Sequence, residues 1–143
     1  MLAEVLVYIG TVTSGGSEGI YLSRLNVETG QLSVPILAAK ANHPNFLTTD
    51  PRNRVLYSTG KPAQRGEPFD SVVSFRIDRT TGELTRLNGQ AAQDLTFCHI
   101  NTACDGRVLL GADYGHAKAA AFPLGSDGQI APPASLLTYD VAK

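Results

Sequence analysis

Tryptophan is absent from this chain of 143 residues, methionine occurs once and cysteine twice. Two cysteines cannot make a disulfide scaffold, and the C-x5-C spacing of Cys98 and Cys104 matches no metal signature. They flank one predicted strand, which would hold them about 20 Å apart at ~3.3 Å per residue, too far to pair. They read as reduced, semi-buried thiols. Charged residues make up only 17% of the chain and the net charge is −1, so neither nucleic acid nor a membrane surface is an expected partner. No run approaches the ~20 apolar residues of a membrane helix. The N-terminus, Met1-Leu2-Ala3-Glu4, lacks the basic start of a signal peptide, so a cytoplasmic location is expected. Helical periodicity is missing throughout.

The chain does hold short runs of Val, Ile, Thr, Tyr and Phe between Gly- and Pro-containing breaks, the pattern of many short strands. One such stretch is Ser71–Leu84. Val73, Phe75 and Ile77 alternate with Ser74 and Arg76, as in a half-buried strand. Asp78–Gly82 then supplies a turn, with Gly82 placed for a positive φ. The same layout recurs at Gly19–Leu32, offset by 52 residues, and at Ala119–Ile130 with a turn one residue shorter. The spacers recur too: Asn45–Tyr57 runs in step with His99–Leu110. A period of roughly 45–50 residues suits propeller blades.

The expected fold is therefore all-β, a partial β-propeller occupying residues 1–143. The second unit, 45–88, and the third, 98–137, each read as four strands. The first, 5–38, reads as three and lacks the innermost. The predicted strands are Val5–Ile9, Gly19–Val27, Gln31–Ala38, Asn45–Thr49, Arg54–Thr59, Ser71–Ile77, Glu83–Leu87, Cys98–Ala103, Arg107–Ala112, Lys118–Leu124 and Gln129–Leu136. Three blades do not close a ring, which typically needs 4–8. The chain thus reads as the N-terminal part of a longer protein, with the remaining blades as its partners. Alone, it is expected to associate through uncovered faces and to lack activity.

Tyr8-Ile9-Gly10-Thr11, Gly15–Tyr21 and Thr29–Leu32 resemble the opening of the lactonase-type seven-bladed propellers, the family of propeller 6-phosphogluconolactonases. Asn45-Phe46-Leu47 with Asp50-Pro51, the Phe75–Leu84 hairpin, Cys98-His99, Asp105-Gly106-Arg107 and Tyr114-Gly115 continue the likeness in order. Two departures stand out. Asp113 replaces the family's usual Asn before Tyr-Gly, and His116-Ala117-Lys118 replaces a small Gly/Ser-rich turn. The resemblance implies hydrolysis of a sugar lactone, most simply 6-phosphogluconolactone, by water attack, with no cofactor. It also leaves open the related carboxy-muconate lactonising cyclases. A non-catalytic binding scaffold is the third reading, because the fold alone does not decide function.

His99 opens a predicted innermost strand beside the channel, where an imidazole with its ordinary pKa of ~6.5 could serve as general base. The resemblance supports this, since the related muconate-lactonising enzymes have a proposed catalytic histidine at the matching position. A structural histidine bonded between blades is the alternative. Asn45 occupies the repeat position of His99 and His43 lies just before it. Both, with Tyr114, are candidate substrate-binding residues, although capping a turn is the competing role. His116 reads as solvated. Ser14–Gly19 lacks the phosphate-loop pattern and a following helix. There is no Gly-x-Ser-x-Gly elbow and no metal-ligand cluster. Arg52, Arg54, Arg65 and Arg107 are scattered over turns.

Overall fold

The computed structural model of the protein describes residues 3–139. Met1 and Leu2, used above in reading the N-terminus, lie outside this range. Among the described residues, eleven strands form three antiparallel sheets. The first contains β1 (Glu4–Ile9), β2 (Gly19–Asn26) and β3 (Ile36–Lys40). The second contains β4 (Leu47–Thr49), β5 (Val55–Thr59), β6 (Val72–Ile77) and β7 (Leu84–Gln90). The third contains β8 (His99–Ala103), β9 (Val108–Asp113), β10 (Lys118–Pro123) and β11 (Ser135–Thr138). Within each sheet every strand pairs only with its neighbour in sequence, so each is a simple meander. A short 3-10 turn at Thr13–Gly15 is the only helical element among the described residues.

The repeated hairpin turn is built the same way in the first two sheets. Asn26 Oδ1 accepts the N–H groups of Glu28 and Thr29, and Asp78 Oδ1 accepts those of Thr80 and Thr81. The two Thr80 and Thr81 bonds hold the exposed Asp78 carboxyl below its usual value. Gly30, Gly82 and Gly128 close the three turns with φ of 74°, 82° and 88°, a region that favours glycine.

Two of the predicted strands are interrupted, and proline is the reason. The predicted Gln31–Ala38 makes one bridge, Leu25 to Leu32, and then breaks; pairing resumes at Ile36, after Pro35. The predicted Gln129–Leu136 likewise makes one bridge, Leu124 to Ile130, and resumes at Ser135, beyond Pro132-Pro133. Proline has no N–H to offer the ladder. The second sheet has no proline here, and β7 runs on to Gln90, past the predicted Leu87.

The core lies between sheets. On β5, all of it buried, Leu56 faces the first sheet while Val55 and Tyr57 face the third. Leu56, Phe75 and Ile77 pack with Ile20. Val55, Tyr57 and Val72 pack with Leu95, Phe97, Ile100, Leu109, Phe122 and Ile130. Phe97 and Phe122 meet edge to face at 5.9 Å. Gly111 lies under Phe97, leaving no room for a side chain there. Polar fasteners also join the sheets, among them the following. The Tyr8 hydroxyl donates to the Gly82 carbonyl at 2.7 Å. The Asn88 side chain clasps the main chain of Ile130, accepting from its N–H and donating to its C=O, both at 2.8 Å.

The outward face of the third sheet is uncovered. Leu110, Ala112, Ala119, Ala121 and Leu137 line a cleft of about 430 Å³ there, with His99 and Asn101 at its inner edge.

Candidate functional site

The strand register decides which loops meet. Leu47 pairs with Ser58 and His99 with Ala112, so each innermost strand starts where the next strand ends. The segments 10–18, 41–46, 60–71, 96–98 and 114–117 therefore gather at one end of the three sheets. His43, Asn45, His99, Tyr114 and His116 all belong to this end. Among the described residues, no three His, Cys, Asp or Glu side chains converge as a metal site would require.

His99 is exposed and forms no hydrogen bond to a described residue. Its ring lies 4.6 Å from that of Phe46 in the second sheet. This tilted ring contact limits how the imidazole can turn. His43 is differently placed. Its Nδ1 accepts the Thr13 N–H and its own N–H donates to Thr13 Oγ1, both at 3.3 Å. It is held at a φ of 50°, which costs about 1–2 kcal/mol for a residue with a Cβ. The mutual bonds make His43 the tie between the 41–46 connector and the 10–18 loop. Asn45 Oδ1 accepts from Thr59 Oγ1 at 3.1 Å, so it braces the connector against the end of β5. Tyr114 is 83% exposed, with no side-chain hydrogen bond to a described residue.

The structure brings together one pair that composition alone did not suggest. Asp113 is 3% exposed, and its Oδ2 sits 2.7 Å from His116 Nδ1. It also accepts the N–H groups of Thr96 and His116. Burial would push this carboxyl up. The bonds from the His116 ring, Thr96 and the His116 backbone, with the charge of His116, outweigh burial and hold it below its usual value. His116, read above as a solvated loop residue, is half-exposed but anchored. The three-residue spacing of an acid and a histidine across Tyr-Gly was the available signal. The sequence could not show that the turn folds one onto the other.

Cys98 and Cys104 are both free; Cys98 is partly buried, while Cys104 is exposed rather than semi-buried. Cys104 falls in the β8–β9 turn at a φ of 52°, which lifts its side chain clear of the sheet. No helix among the described residues is long and apolar enough to cross a membrane.

The sequence profile described as "Lactonase, 7-bladed beta-propeller" matches residues 6–142. A Bacillus subtilis protein named 6-phosphogluconolactonase is 37% identical over 134 residues, covering 94% of this chain and 37% of that protein. A Bacteroides fragilis structure, assigned provisionally as a 6-phosphogluconolactonase, superimposes with a TM-score of 0.83 at 29% identity. It covers 96% of this chain and 37% of its own. A Pseudomonas aeruginosa periplasmic gluconolactonase gives a TM-score of 0.80 at 28% identity, covering 95% and 39%. The chain thus spans little more than a third of the length of these relatives.

Proposed function

The chain belongs to the seven-bladed β-propeller lactonases, and on that premise we propose that it supplies three blades, 5–38, 45–88 and 98–137, to a ring that hydrolyses 6-phosphogluconolactone to 6-phosphogluconate. The supporting observation is His99: an exposed imidazole at the head of an innermost strand, with neither nitrogen engaged by a described residue. In this scheme His99 removes a proton from a water molecule as the water attacks the lactone carbonyl. Further blades contribute donors for the oxyanion and cations for the phosphate. One of them covers the apolar face of Leu110, Ala112, Ala119, Ala121 and Leu137. Asn45 and Tyr114 border the substrate, and His43 holds the loop beside it. The free thiols suit a reducing, cytoplasmic setting.

The test joins this chain to the remaining blades of the Bacillus subtilis relative and follows acid release from the lactone above its spontaneous rate. His99→Gln should lower turnover by ~10²–10⁴-fold with little change in substrate binding. A completed ring with no activity, or an unimpaired His99→Gln ring, removes the proposal or its base respectively.

A further inference from the structure

We infer that Asn88-Gly89 is a site of spontaneous deamidation, guarded by the clasp between the second and third sheets, and that its reaction makes an opening of that joint permanent. Of the six asparagines only Asn88 is followed by glycine; the others precede Val, His, Phe, Arg or Thr. Glycine has no side chain to shield its nitrogen or stiffen its backbone, so an asparagine before it loses ammonia more readily than one before a bulky residue. Packing fixes both positions. Asn88 Oδ1 accepts the Ile130 N–H at 2.8 Å and the Ser74 hydroxyl at 3.0 Å, while Nδ2 donates to the Ile130 C=O at 2.8 Å. Position 89 must stay small, because the Asp70–Arg86 ion pair, 2.8 Å long, lies where a Cβ would project. The joint demands the asparagine and the ion pair demands the glycine, so together they write the labile dipeptide.

The chemistry needs only water. The Gly89 nitrogen bonds to Asn88 Cγ, and the side-chain nitrogen leaves as ammonia with the proton from Gly89. Water then opens the cyclic imide at either carbonyl. One opening leaves an aspartyl residue; the other leaves an isoaspartyl link, with an extra methylene in the main chain. Ring closure requires the backbone to rotate until the Gly89 nitrogen meets Cγ. In the folded chain the clasp turns Cγ toward Ile130, and β7 is laddered to β6 through Ser74↔Asn88 and Val73↔Gly89. Both holds must release together. Among the described residues β7 is paired on one side only, and such an edge can open locally while the rest of the fold stays intact. After conversion, residue 88 carries a carboxylate instead of the amide donor that met the Ile130 C=O. The joint then cannot close as before.

The test incubates the chain at constant neutral pH and temperature, folded or held unfolded in urea, and follows aspartyl and isoaspartyl at position 88 by peptide mapping. The folded parent should convert at least about 10-fold more slowly than the unfolded chain. Ser74→Ala removes one bond from Asn88 Oδ1. It should speed conversion of the folded chain roughly 2–10-fold, the worth of one hydrogen bond, and leave the unfolded rate unchanged. Urea below the unfolding transition should speed the parent in the same sense, which serves if Ser74→Ala folds poorly by circular dichroism. Converted chain, separated by its added negative charge, should melt below the unconverted. Conversion as fast in the folded as in the unfolded parent overturns the inference. So does a folded parent that never converts, with or without low urea, while the unfolded chain does. A well-folded Ser74→Ala variant with the parent's rate, or a converted chain with the parent's Tm, overturns it too.

Discussion

Replacing Asn88 with Ala should weaken the joint between the second and third sheets more than any exposed substitution. Asn88 reaches the main chain of Ile130 across 42 residues of sequence. Its Oδ1 is also fixed by the Ser74 hydroxyl at 3.0 Å. A bulge in the β6–β7 ladder, between Ser74 and Phe75, aims it there. In the Ala variant the Ile130 N–H loses its partner beside a side chain that is 1% exposed. A buried donor left unmatched costs about 1–3 kcal/mol. The Ile130 carbonyl fares better, because Gln90 Nε2 still donates to it at 2.9 Å; that loss is about 0.5–1 kcal/mol. The total is about 1.5–4 kcal/mol, or a fall in Tm of roughly 4–12 °C for a chain of this size. Calorimetry on parent and variant measures it. Asn88→Asp adds a discriminating arm. It keeps the acceptor for the N–H but faces a carboxylate to the C=O, so it should be destabilised at neutral pH and partly recover on acidification. An Asn88→Ala variant melting within about 1 °C of the parent would refute the reasoning.

Gly111→Ala would place a methyl group 2.8–2.9 Å from three atoms of the Phe97 ring. That overpacks a buried aromatic pair and should cost about 1–3 kcal/mol in urea unfolding; an unchanged midpoint would show that Phe97 can yield. Because the Asp113 carboxyl is held below its usual value of 3.8, its ionised form stabilises the fold above that pH. The contribution should be lost as the pH falls below about 4, and Asp113→Asn should flatten this limb of a stability-versus-pH curve. Tyr57 behaves in the opposite sense. Burial, then the charges of Asp50 and Asp127, push its hydroxyl up to about 12, Arg54 opposing. Its share of stability is complete below pH 10 and lost between about 10 and 12, by about 1–2 kcal/mol after screening, and Tyr57→Phe should abolish that loss. The uncovered face of the third sheet should make the chain self-associate at micromolar concentration, and Leu110→Lys should suppress it. Sedimentation velocity showing a monodisperse parent would count against this.

The hairpins were legible because their grammar is local. Alternation across Val73, Phe75 and Ile77 and the glycines at 30, 82 and 128 named both the strands and the turns. Pro35 and Pro132-Pro133 were equally visible, but their effect depends on which N–H the ladder needs, which only the pairing reveals. The candidate site was legible in part. Repeat register located His99 and Asn45 at one end, since equivalent positions of equivalent units must share an end. Asn88 carried no sign of its role, because its partner is main chain and any residue supplies that. His43 gave no sign of its tie to the 10–18 loop for the same reason: its imidazole is engaged by a backbone N–H.

Pairing between sequence neighbours alone has a consequence for how the molecule is made. Each sheet can form once its own forty-odd residues have emerged during synthesis, without waiting for distant chain. The fasteners between sheets cannot. Ile130 follows Asn88 by 42 residues, a delay of roughly 2–8 s at translation rates of about 5–20 residues per second. During that interval the second sheet is folded, yet Val55, Tyr57 and Val72 still await their last partners, Phe122 and Ile130. Those seconds on the ribosome are when the nascent chain is most open to a chaperone, or to another nascent chain on the same message.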